Sequence, residues 1–318
     1  MDAYKLEDGA TSNLPQSESD KPPDPPTCHS DPTSISNSDL ITYDDLLEWQ
    51  KDNPSIHTSY RPISHSITKS LKSFFTLHNE TLNIHTHSFP FLACLLLTGL
   101  IFYIFSIYFP RSPLVDRFIF SIFFFTTMIC MGLSTGYHTL MNHSKRMAGI
   151  WLRLDFCGIV VAILGDFVTG IYVAFYCEWK LQVGYWVMIL TLTSTILVLL
   201  LHPQFQGLRW RTFRVFVFVG TACSAFAPII HGIVYFGWRE VVRGTGMPWY
   251  LGEGGLLVLG AAVYALRIPE CYFPGKFDIV GHSHQIFHVL VVGASGLHLV
   301  GLWNAYSREY YHPRCGFR

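Results

Sequence analysis

The chain has 318 residues, half of them hydrophobic and 14% charged, which excludes a disordered protein. Formal net charge is zero, so nothing in the balance suits a nucleic-acid partner. Aromatic residues make up 15% and gather in long apolar runs, as in a polytopic membrane protein.

Residues 1–39 are rich in Ser, Pro, Asp, Asn and Thr and read as a disordered cytosolic tail. They are too polar for a signal peptide, so the first apolar run is expected to act as the anchor. Residues 40–80 are expected to hold two short amphipathic helices, cytosolic or interfacial. The first runs from Ile41 to Trp49, with Asp44 and Asp45 in its first turn. The second runs from Ser66 to His78, with Ile67, Leu71, Phe74 and Phe75 opposite Lys69 and Lys72, a pattern that suits a membrane surface.

Seven apolar runs follow, near 87–109, 117–140, 150–176, 183–201, 212–235, 247–267 and 283–304. Each can cross about 30 Å of hydrocarbon as a helix, and their continuity excludes a β-barrel. The predicted fold is all-α, a seven-helix transmembrane bundle over 81–305 with a short C-terminal tail at 306–318. Lys and Arg are in modest excess on the flanks that lie inside if the N-terminus is cytosolic and the C-terminus outside. Eight cysteines form no CxxC pair and no dense framework; most read as small buried thiols.

The last run opens with Ser283-His284-Gln285-Ile286-Phe287-His288. Four-residue spacing puts His284 and His288 on one helix face. Such a pair alone is more often structural than metal-binding. The topology adds a third histidine, because His138 at the end of the second run reaches the same cytosolic depth. Ser134, one turn before His138, and Asp155, near the start of the third run, also reach it. Three histidines with one open position suit a catalytic zinc, whose bound water is acidified towards neutrality. Asp155 is then the base or orienting partner, and Ser134 a hydrogen-bonding neighbour. His78, His85 and His87 compete by depth, whereas His143, His202, His231, His282 and His298 rank lower. Asp166, three turns beyond Asp155 on the same face, needs a partner or a water-filled cavity at mid-membrane.

These residues carry a resemblance. Tyr60-Arg61-Pro62, the stretch from His78 to His87, Ser134-x-x-x-His138, Leu154-Asp155-x-x-Gly158-Ile159, Pro274 to Ile279 and Ser283 to Leu290 resemble the motifs of the progestin and adipoQ receptor family. That family includes the adiponectin receptors, the bacterial hemolysin III proteins and a fungal zinc-homeostasis group. The likeness runs from about Leu46 onward and is nearer the adiponectin-receptor and fungal branch. It implies a zinc ion (Zn2+) held by His138, His284 and His288, with Ser134 and Asp155 at the zinc-bound water. It also implies a lipid-facing cavity and a ceramidase-like amide hydrolysis. Asp166 departs from the small neutral residue of animal receptors, and Thr169 replaces a proline.

Three functions stay open at this point: a zinc-dependent ceramidase-like hydrolase, a receptor with structural zinc, and a channel or metal transporter. The expected partners are the bilayer and a lipid, whether ceramide-like, fatty acid or sterol, with an unidentified extracellular protein ligand. The expected place is the plasma membrane or the endoplasmic reticulum.

Overall fold

The computed structural model describes residues 40–205 and 208–315; the tail expected over 1–39 lies outside the described residues. The helices in chain order are α1 (Ile67–Lys72), α2 (Thr81–Tyr108), α3 (Leu114–Leu140), α4 (Lys145–Ala174), α5 (Trp179–Leu201), α6 (Arg211–Cys223), α7 (Phe226–Phe236), α8 (Trp238–Gly244), α9 (Met247–Leu266) and α10 (Ser283–Tyr311). Seven spans are long and apolar enough to cross a membrane: α2, α3, α4, α5, α6 with α7, α9 and α10. All seven expected runs therefore form helices, with ends shifted by a few residues. No strand occurs among the described residues; one isolated antiparallel bridge joins Ile41 and Tyr60.

The segment before α2 differs from expectation. Ile41 to Trp49 forms turns, not a helix. The Asp45 carboxylate accepts from Thr42 N at 3.0 Å and from Thr42 Oγ1 at 2.7 Å, so side chains take over donors a helix would use. Asp278 accepts likewise from the backbone of His57 and Thr58, at 3.0 and 2.9 Å. The second expected helix stops at Lys72 and passes into a 3-10 turn over Ser73–Phe75. Its buried side is polar: Ser70 Oγ donates to Asn142 Oδ1 at 2.8 Å, just beyond the end of α3. Ile67, Leu71 and Phe75 remain exposed.

Small residues draw α3 and α4 together. A Cβ at Gly165 would sit 1.9 Å from Thr126 Oγ1, and one at Gly158 would sit 3.0 Å from Cys130 Cα. One end of the bundle is aromatic, with Phe105, Phe109, Phe120 and Tyr306 fully buried. In their midst the buried Asp116 carboxylate accepts from the hydroxyls of Tyr172 at 2.5 Å, Tyr176 at 3.0 Å and Tyr306 at 2.5 Å. This knot joins α3, α4 and α10. The disulfide Cys177–Cys315 lies at the same end, a pair outside the buried thiols expected of most of the cysteines. A sequence separation of 138 residues left no local spacing to show it.

Asp116→Ala strands three tyrosine hydroxyls. At about 1–3 kcal/mol for an unsatisfied buried group, the variant should lose at least about 2 kcal/mol. Thermal unfolding in detergent measures this; an unchanged Tm would show that the knot contributes nothing.

Candidate metal centre

The first turn of α10 is fixed from outside. Glu270 Oε2 accepts from Ser283 N at 2.7 Å, and its Oε1 accepts from Ser283 Oγ. Asn53 Nδ2 donates to the same carboxylate at 3.0 Å. A carboxylate at a helix N-terminus satisfies donors the helix cannot and complements its dipole. His284 and His288 follow on the first two turns and face α3. The last turn of α3 is held by buried Arg61, which donates to His138 O at 2.6 Å and Thr139 O at 3.0 Å. Burial pulls the Arg61 guanidinium down to about 10, partly offset by Glu80, so it stays cationic at neutral pH.

His138, His284 and His288 come together, each offering one ring nitrogen within 4.8 Å of the others. His138 Nδ1 donates to Glu80 Oε2 at 2.8 Å. Glu80 Oε2 also accepts from Asn83 Nδ2 at 2.6 Å. Burial would raise the Glu80 carboxyl, but the hydrogen bonds from His138 and Asn83 hold the group well below the usual carboxylate range. The proton therefore sits on Nδ1 of His138 and the lone pair on Nε2. His288 Nδ1 donates to Asn83 O at 3.2 Å, which leaves its Nε2 free as well. The Nε2 atoms of His138 and His284 are 3.2 Å apart. Nitrogens bound at about 2.0–2.1 Å in a tetrahedron stand about 3.3 Å apart, so the trio fits such an ion.

Asp155 and Ser134 interact with each other, and both line a cavity of about 550 Å³ with His284 and His288. That volume lies in the range of about 300–1,000 Å³ usual for ligand sites. Asp155 is not among the metal-holding trio. Of the competitors, His78 bonds Ser73 O through Nε2, and burial lowers it to about 4. His282 Nε2 bonds Asn79 O. His85 packs edge-on against Phe74. His87 stacks on His288 with ring centroids 3.7 Å apart and lines the cavity. Both its ring nitrogens are buried without a hydrogen-bond partner among the described residues.

Sequence reasoning missed Glu80, Arg61 and Glu270, the residues that hold the histidines in place. Glu80 stands near the start of the His78 to His87 stretch that carries the resemblance. Its position one residue before the first span was the available signal. Arg211 opens α6, where the sequence marks it only as a charge at the flank of a span. It lines the cavity, donates to Tyr264 O at 2.8 Å and keeps a buried Nε–H without a partner among the described residues.

The family model described as haemolysin-III related matches residues 75–299. The chain is 37% identical over 265 residues to the adiponectin receptor protein of Drosophila melanogaster, covering 82% of this chain and 58% of that protein. It is 33% identical over 271 residues to the ADIPOR-like receptor IZH2 of Saccharomyces cerevisiae, covering 84% of each. It is 31% identical over 268 residues to the human progestin and adipoQ receptor family member 3, covering 80% of this chain and 81% of that one. The chain spans less than two thirds of the fly protein and 60% of the Caenorhabditis elegans progestin and adipoQ receptor-like protein 1.

Glu80→Gln removes the charge that orients His138 and should weaken zinc binding about 10–100-fold, as loss of a ligand's supporting partner does elsewhere. Competition against a calibrated chelator measures it. Equal affinity in the two proteins would remove Glu80 from the centre.

Proposed function

This chain belongs to the haemolysin-III related family, with adiponectin and progestin-adipoQ receptor proteins among its relatives, and on that premise we propose that it is a zinc protein of the membrane that hydrolyses a ceramide-like lipid amide. The observation that supports this most is the meeting of three imidazole nitrogens at a cavity whose wall also carries Asp155 and Ser134. Zinc there would supply Lewis acidity and acidify a water to near neutrality. His138, His284 and His288 would hold it, and Glu80 and Asn83 fix the proton positions of His138 and His288. Asp155 takes a proton from the attacking water and returns it to the leaving nitrogen as the C–N bond breaks. The products are a fatty acid and a free amine. Ser134 orients the Asp155 carboxylate. The unpaired Nε–H of Arg211 offers a donor to the amide carbonyl or the acid product. The remaining wall is mainly apolar and accommodates the acyl chain, and it equally suits a fatty acid or sterol ligand.

A second reading has its own support. The histidines bridge α3 and α10, and Glu80 brings in the start of α2. Such a metal clamps helices whether or not it reacts, which suits a receptor with structural zinc. The Cys177–Cys315 bond supports an orientation with that end in an oxidising compartment. The histidine end and the N-terminus then face the cytosol, whether in the plasma membrane or the endoplasmic reticulum.

Purified wild-type protein should release fatty acid from labelled ceramide. Asp155→Ala should retain zinc and lose at least about 100-fold in turnover, whereas His288→Ala should lose zinc as well. Zinc-loaded wild type without turnover rules out hydrolysis and leaves the clamp. For orientation, a membrane-impermeant thiol reagent applied from outside should label Arg111→Cys and spare Lys145→Cys; the reverse pattern inverts the topology.

A further inference from the structure

A second set of ion-binding side chains lies along the same void. His298 stands ten residues beyond His288 on α10, about 15 Å along the axis, and Asp166 stands a similar distance beyond Asp155 on α4. Asp166 and Glu253, the latter on α9, line both the main cavity and an adjoining recess of about 130 Å³ that reaches His298. Asp166, Glu253 and His298 each offer one ligand atom, all within 4.8 Å of one another. They come from three helices, and none belongs to the three-histidine centre.

The hydrogen bonds define the charge. His298 Nδ1 donates to Glu253 Oε2 at 2.7 Å. Its Nε2 lies 3.2 Å from Thr169 Oγ1, whose own proton goes to Gly165 O at 2.8 Å. The Thr169 oxygen therefore accepts, and both ring nitrogens of His298 carry protons. One imidazolium faces two carboxyl groups, so with both ionised the cluster holds one negative charge in excess, which a proton or a cation must neutralise. No Lys or Arg among the described residues lines the recess to cancel it. An excess charge at this depth is costly unless something neutralises it. A separate observation points to a ligand. The Tyr250 hydroxyl is buried without a hydrogen-bond partner among the described residues, and its ring stands 5.0 Å from His298. It lines the void together with Asp166 and Glu253.

We propose that Asp166, Glu253 and His298 form a second divalent-cation site of the zinc class, with the Tyr250 hydroxyl beside it. Binding displaces the Nδ1 proton of His298 to solvent, and the freed nitrogen takes the ion. Two carboxylates then balance two positive charges, and the cluster becomes neutral. A nitrogen and two carboxylate oxygens form a donor set suited to zinc, manganese or iron. The site does not depend on the three-histidine centre or on any hydrolysis there.

The full-length protein, purified in detergent, would be incubated with zinc chloride, dialysed and its metal measured by mass spectrometry. Wild type should hold about two zinc ions per chain, Asp166→Asn and Glu253→Gln about one each, and His284→Ala about one. Glu253→Gln combined with His284→Ala should hold none. If only the histidine centre fails, wild type reads one and Asp166→Asn reads none, so the two sites are judged separately. Asp166→Asn and Glu253→Gln proteins that elute as wild type does and keep its full zinc content overturn the proposal. Where neither variant folds, the His284→Ala protein carries the test. Zinc should raise its Tm through the remaining site, and an unmoved Tm overturns the proposal equally.

Discussion

The hydrogen bond from His138 to Glu80 is the contact on which the metal end depends. A carboxylate can only accept, so it places the proton of His138 on Nδ1 and turns the Nε2 lone pair towards His284. For that bond to form, the start of α2, the end of α3 and the start of α10 must meet at one level. None of these ends can leave its backbone groups bare. Arg61 closes α3, Glu270 opens α10, and both act through the segment before α2 or the loop before α10. The stretch from residue 40 to residue 80 is therefore more than a surface attachment. It is a polar cap that Asp278, Asn53 and Ser70 bind to the bundle, and the histidine positions follow from it.

Much of this was readable in the chain because a bilayer imposes a simple rule on composition. Continuous apolar runs had to be helices, and counting them alternately inward and outward put His138, His284 and His288 at one depth. The same counting put Asp166 well inside the third span, and the structure brings it beside His298, but depth alone does not name a partner. Glu253 comes from a third helix 45 residues before His298, and no local spacing links the two. Nothing near Asp116 in the sequence marks it; three tyrosines far along the chain make it a structural centre. Ile41 to Trp49 had helical periodicity, yet short polar side chains captured its backbone first. Patterns within a helix were legible, and pairings between distant segments were not.

The bundle is also unequal from side to side, and this bears on how a cavity can coexist with a closely set trio of histidines. The histidines sit on α3 and α10. With α2 and α4, those helices share the aromatic core and the Asp116 knot. The opposite wall of the void comes from α6, α7 and α9, whose apolar residues are largely exposed and where the helix is interrupted at Ser224 and Ala225. An interrupted helix has fewer backbone bonds to break when it shifts. The nitrogen positions are thus set from α2, α3 and α10, apart from the interrupted wall. The cluster of Asp166, Glu253 and His298 straddles this division, with Glu253 on the α9 side. An ion bound there would tie the two halves together.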